Sequence, residues 1–150
     1  MRPSLAGSAE LCAYLGLVPL ALAPLGIAFL PSYTGRELSQ EIALGSGAVV
    51  LAALGAVHWG LALGGRMAWR PLRILGAVLP AVFGAISIAI GGQRGLGLIV
   101  VALGLFWLYE HRVVGDELPG AYLRLRRNLT LAGCLLLFVT IIVSDKVGLL

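Results

Sequence analysis

Charge is what this sequence has least of: 12% of its 150 residues are Asp, Glu, Lys or Arg, while 59% are hydrophobic, and mean hydropathy is +0.98. That balance excludes an ordinary soluble domain and leaves no stretch from which a second, soluble one could be built. Lysine is reduced to Lys146 against ten arginines, which reads as the coding bias of a GC-rich bacterium. Cysteine occurs twice, as Cys12 and Cys134, each inside an apolar segment and without CxxC spacing. This excludes a disulfide framework and a metal knuckle, and both are expected to be buried thiols acting as small hydrophobes. No P-loop, GxSxG, HExxH, CxxCH or strand-based nucleotide fingerprint is present, which removes the familiar nucleotide, hydrolase and c-type haem chemistries.

Long apolar runs fill the space that charge leaves. The central one, Ile42 to Gly64, carries no charge between Glu41 and Arg66, and at about 23 residues it is long enough to cross a hydrocarbon core of about 30 Å. Within it Ala48, Ala52, Ala56, Gly60 and Gly64 recur at spacing four, a small-residue ladder of the kind that lets another helix approach closely. His58 points away from that ladder, beside Leu51, Leu54 and Leu61, so the helix is expected to be wrapped on both sides.

The other spans follow in order. A first, proline-bent span covers Leu11 to Leu30 with Pro19 and Pro24, and Ser32 to Glu41 follows as a polar loop. The third span is Leu72 to Ile90, with Pro80 as an expected kink, and the fourth is Leu96 to Tyr109, joined to it by a tight turn at Gly91 to Gly95. Glu110 to Asn128 is the longest polar stretch, its end from Tyr122 forming the basic start of the last helix, Leu129 to Ser144. The expected fold is thus all-α, one polytopic domain of five transmembrane helices. Five spans do not divide into equal halves, which counts against an inverted-repeat transporter.

Arginine placement orients the chain. Arg2, Arg66, Arg70, Arg73, Arg112, Arg124, Arg126 and Arg127 fall on one side, and Arg36, Arg94 and Lys146 on the other. The positive-inside rule then puts the N-terminus in the cytoplasm and the C-terminus outside. The net charge of +4 is explained by these short loops, so no nucleic-acid partner is implied. Tyr14, Trp69, Trp107, Tyr109 and Tyr122 collect toward the same side, as an aromatic belt would.

Few residues can carry chemistry. His58, with Trp59 beside it, is the functional candidate, as the only ionisable group deep in an expected span. An imidazole there can also be satisfied by a neighbouring carbonyl or hydroxyl, and a packing role is its plain alternative. Glu110, His111, Asp116 and Glu117 gather after the fourth span, where a solvated loop is the simpler account than acid-base work. Arg124, Arg126 and Arg127 beside Tyr122 suit anionic headgroups or a partner's acidic surface. No catalytic residue, metal ligand set or cofactor emerges.

Three stretches in register, Gly55-Ala56-Val57-His58-Trp59-Gly60, Val78-Leu79-Pro80, and Tyr122-Leu123-Arg124 followed by Leu129-Thr130, resemble the transmembrane protein 69 family, also catalogued as domain of unknown function 3429. Ala56 replaces a second glycine of the family pattern, and Ala121 a tryptophan. The resemblance implies a small multi-span protein of bacterial inner membranes, with mitochondrial relatives and no established activity, and it supplies no catalytic residue. The residues and the resemblance together favour a non-enzymatic accessory or assembly subunit. Its partners would be the bilayer and a membrane protein, of a respiratory or photosynthetic complex, or a second copy of itself. The alternatives are a small transporter or channel using His58 for a proton or substrate, and a haem- or quinone-binding enzyme.

Overall fold

A computed structural model describes residues 7–68, 70–115 and 118–149, the side chain of Ala9 excepted. In these residues six α-helices follow one another: α1 (Gly7–Leu15), α2 (Val18–Phe29), α3 (Tyr33–Leu63), α4 (Pro71–Ile90), α5 (Gly92–Tyr109) and α6 (Gly120–Lys146), with a π-helical turn at Glu110–Val114 prolonging α5. Among the described residues no strand occurs. Among the described residues, five stretches are long and apolar enough to cross a membrane: Glu10–Phe29, Tyr33–Leu63, Pro71–Ile90, Gly92–Val114 and Gly120–Lys146.

The spans are longer than hydropathy alone suggests. The segment expected as a polar loop, Ser32 to Glu41, is helical from Tyr33. Ser32 caps it by accepting from the Gly35 amide at 3.2 Å, and Arg36 donates through Nε to the Leu30 carbonyl at 2.8 Å. Ser39 and Gln40 then turn inward and are buried. The first span is broken at Gly16-Leu17, and Pro19 sits in the opening turn of α2, where a missing N–H costs little. Pro24 and Pro80 lie buried inside α2 and α4, which continue through them. The turn between α4 and α5 shrinks to Gly91, which with Gly92 takes positive φ, 70° and 53°.

Helix α3 is central and packs on α2, α4, α5 and α6. Its inward face is Gly47, Ala48, Leu51, Gly55, His58 and Ala62, not the spacing-four ladder. A helix of 3.6 residues per turn gains about 40° at each step of four, so the ladder has swung by about 160° between Ala48 and Gly64. Ala48 is buried against Gly84 of α4, whereas Ala52, Ala56, Gly60 and Gly64 lie exposed, and a Cβ on Gly60 would meet nothing within 4 Å. The expectation of helices on both sides of α3 is therefore corrected: its own neighbours cover the His58 side alone. The close approaches are made by other glycines. A Cβ on Gly55 would strike the carbonyl oxygen of Ala77, and one on Gly95 that of Ser87.

Leu20, Leu44, Leu51, Ile99, Leu103 and Leu137 form the middle of the core. At one end of the bundle lie the ends of α3 and α5 and the starts of α4 and α6, together with most of the arginines; this is the basic end. At the opposite end Gln93 donates to the Leu149 carbonyl at 2.7 Å. The cysteines do not pair, and Cys12 is exposed on α1 rather than buried as expected, because it faces outward from a helix that touches little but α6.

Gly55→Leu is expected to destabilise the fold by at least about 1–3 kcal/mol through overpacking. Gly104→Ala, where a Cβ meets nothing within 4 Å, should be neutral or gain about 0.5–1 kcal/mol of helix propensity. Thermal unfolding of both variants in detergent checks this; equal effects would contradict the packing described.

Candidate functional site

At the basic end, three side chains from three helices meet out of reach of solvent. His58 of α3 is 0% exposed, Glu110 of the π turn 1%, and Arg126 of α6 3%. Arg126 donates through Nε to Glu110 Oε2 at 2.7 Å and through Nη1 to the hydroxyl of Thr130, which itself donates to the Arg126 carbonyl at 2.9 Å. Tyr122, one turn before Arg126, donates to Glu110 Oε1 at 3.4 Å. Spacing four along α6 thus stacks Tyr122, Arg126 and Thr130 on one face. The i→i+5 geometry at Glu110–Val114 keeps Glu110 and Val114 both turned into the bundle.

His58 closes the group from the other side. Its Nδ1 lies 3.1 Å from the Leu54 carbonyl. A carbonyl can only accept, so Nδ1 carries a proton. In the neutral ring Nε2 is then a lone pair, and it faces Glu110 Oε1 at 3.8 Å with no hydrogen-bond partner among the described residues. A void of about 10 Å³ touches His58 beside Trp59, Met67 and Arg73, about what a single water fills. Aromatic rings pack the remaining sides: Phe106 meets the imidazole edge-on at 5.2 Å and lies 5.8 Å from the Arg126 guanidinium, and Tyr109 stacks on Phe106 at 5.6 Å. Tyr109 fits because Gly76 opposite has no side chain, and its hydroxyl donates to the Leu72 carbonyl at 3.1 Å. Ala62, Met67, Val114 and Leu118 form a small apolar cluster against Tyr109 and Tyr122.

Burying an ion pair in a helix bundle costs several kcal/mol of solvation per ion, recovered only when each charge keeps its hydrogen bonds. Here the carboxylate has Arg126 and Tyr122, while Arg126 Nη2 remains without a partner among the described residues. The cluster ties α3, α5 and α6 at one depth. It can accept one proton, at His58 Nε2, which would turn a lone pair facing a carboxylate into a donor aimed at it.

The sequence candidates are thus partly united and partly dispersed. His58, Tyr122 and Arg126 come together; Trp59 is exposed on α3, and Arg124 and Arg127 are exposed on α6. Of the residues expected at a lipid or partner surface, Arg126 is buried and Tyr122 half-buried, both bonded to Glu110. Glu110, expected in a solvated loop, is the missed partner of His58, and the single cue to it was that no turn residue separates it from Tyr109. His111 is exposed and stacks on Trp107 at 5.8 Å. Asp116, Glu117, Trp69 and Arg2 lie outside the described residues. Among the described residues no three His, Cys, Asp or Glu side chains group as metal ligands do.

Glu110→Gln and Arg126→Gln should each lower stability by about 3–5 kcal/mol, because either leaves its partner charged and alone. The double variant should lose less than their sum, and a double-mutant cycle in detergent measures the difference; additive losses would mean that the pair is not coupled.

Over residues 6–142 the chain matches the family described as "Protein of unknown function (DUF3429)". Neither a curated protein nor a solved structure matches it.

Proposed function

We propose that this chain, which belongs to the DUF3429 family of proteins of unknown function, is a non-enzymatic accessory or assembly subunit of a larger complex, respiratory or photosynthetic, in a bacterial inner membrane. The arginine-rich end, and with it the N-terminus, faces the cytoplasm in this reading, and the C-terminus faces outward. The observation that carries the proposal is the outer face of α3. Ala52, Ala56 and Gly60 lie exposed on the outward side of a helix that is otherwise the centre of the bundle, with Gly64 exposed at its cap. In a bilayer, where apolar surface alone gives no drive to associate, small residues in such a row favour close contact with another helix.

A transport reading draws support from the proton-accepting geometry at His58. Against it stands the middle of the core. Between the cluster and the buried polar residues of the far end, Gln40, Ser87, Thr140 and Ser144, the inward side chains are Leu44, Leu51, Ile99, Leu103 and Leu137. Ser87 and Thr140 each donate to a carbonyl of their own helix, so no chain of polar groups links the two ends among the described residues. The haem reading weakens because Nδ1 of His58 is held by Leu54 and Nε2 faces Glu110 inside the bundle. In this reading the cluster is a clamp that fixes three helices in depth.

The test is extraction of the tagged protein from its own membranes in mild detergent, with measurement of the mass and composition of what migrates with it. A defined assembly at fixed stoichiometry is expected, and Gly60→Leu should release the chain from it while leaving its own melting temperature unchanged. Migration alone would overturn the proposal and turn attention to proton movement in proteoliposomes, with His58→Gln as the comparison.

A further inference from the structure

We propose that the open pocket between α5 and α6 at the basic end, about 340 Å³ in volume, binds the phosphate of an anionic phospholipid headgroup. Its lining includes the buried Glu110–Arg126 pair and leaves out His58. The carboxylate there is already neutralised, so it does not repel an incoming anion, and Arg126, 3% exposed, keeps Nη2 without a partner among the described residues. Arg124 and Arg127 form the rim; both are exposed, and among the described residues neither pairs with a carboxylate. Three guanidinium groups against one carboxylate leave the pocket positive, and the planar guanidinium matches phosphate oxygens in a way a lone ammonium does not.

Two further features select a lipid over a soluble phosphate. Trp107, stacked on His111, forms the α5 wall, and an indole belongs at headgroup depth. From Arg127 the same face of α6 continues as Leu131, Leu135 and Phe138, at spacings of four, eight and eleven, and these are 63%, 62% and 55% exposed. An acyl chain below a phosphate held at Arg124 and Arg127 would lie along that stripe, whereas a free anion or an acidic peptide has no use for it. Basic pockets between spans are where anionic headgroups settle.

The experiment uses the full chain in a maltoside detergent, with native mass spectrometry and melting temperature as readouts. The probes are phosphatidylglycerol, phosphatidylcholine and inorganic phosphate. Retention of phosphatidylglycerol over phosphatidylcholine is expected, with a rise in melting temperature that only the anionic lipid produces. Arg124→Gln/Arg127→Gln should weaken phosphatidylglycerol binding by at least about tenfold, the loss of one charge-assisted hydrogen bond. Equal retention of the two lipids, a measurement on the unaltered chain alone, would overturn the proposal. So would undiminished binding by the double variant, and so would displacement of the lipid by millimolar inorganic phosphate, which would assign the site to a soluble anion.

Discussion

The contact between Arg126 and Glu110 constrains everything around it. Two full charges have been taken out of water at the end of a helix bundle, and neither can be left alone there without a penalty of several kcal/mol. The pairing obliges α5 to continue past Tyr109 in a widened turn, so that Glu110 faces inward, and it obliges α6 to begin well before its apolar run, so that Arg126 can reach across. Tyr122 and Thr130 are then set by helical spacing, one turn on either side of Arg126. His58 is drawn in because the carboxylate oxygen not held by Arg126 is turned toward α3. Ala62, Met67, Val114 and Leu118 pack together beside the group, against Tyr109 and Tyr122.

Along its length the bundle has a division of labour. The basic end holds its helices together by charge and hydrogen bonds, the middle by leucine and isoleucine, and much of the remaining contact is backbone against backbone. Gly55 against Ala77, Gly84 against Ala48 and Gly95 against Ser87 bring α3, α4 and α5 closer than any side chain would permit. This is the packing available where apolar surface gives no advantage to protein over lipid. Ala52, Ala56 and Gly60, exposed on the outward side of α3, lie where the chain's own packing against that helix stops.

The number of spans and their order were legible in the sequence, because an uncharged run of about 20 residues matches the thickness of a bilayer and is too apolar all round for a helix in water. Where each span ends was harder to read. Hydropathy falls at Glu41, Glu110 and Asn128, but Ser39, Gln40, Glu110 and Arg126 are helical and buried; Ser39 donates to the Gly35 carbonyl and Arg126 to Glu110, while Gln40 Nε2 has no partner among the described residues. A polar residue paired inside a bundle looks, one residue at a time, like a polar residue in a loop. His58 was legible as a singular group, but its partners come from positions 52 and 68 residues later, and no local pattern joins them. The spacing-four ladder fails as a guide for a geometrical reason: over Ala48 to Gly64 it is a spiral, and a true helix face alternates steps of three and four, as Leu51, Gly55, His58 and Ala62 do.

The turn at Gly91 has a consequence for how the molecule is made. With α4 ending at Ile90 and α5 starting at Gly92, no slack exists by which one helix could settle in the bilayer while the other waited in water. Both are long and apolar enough to cross a membrane, and as a hairpin they would carry little more than Gln93 and Arg94 at the tip. So short a connection favours entry of the two helices into a bilayer as a hairpin, with Gly95 already set against Ser87 inside it.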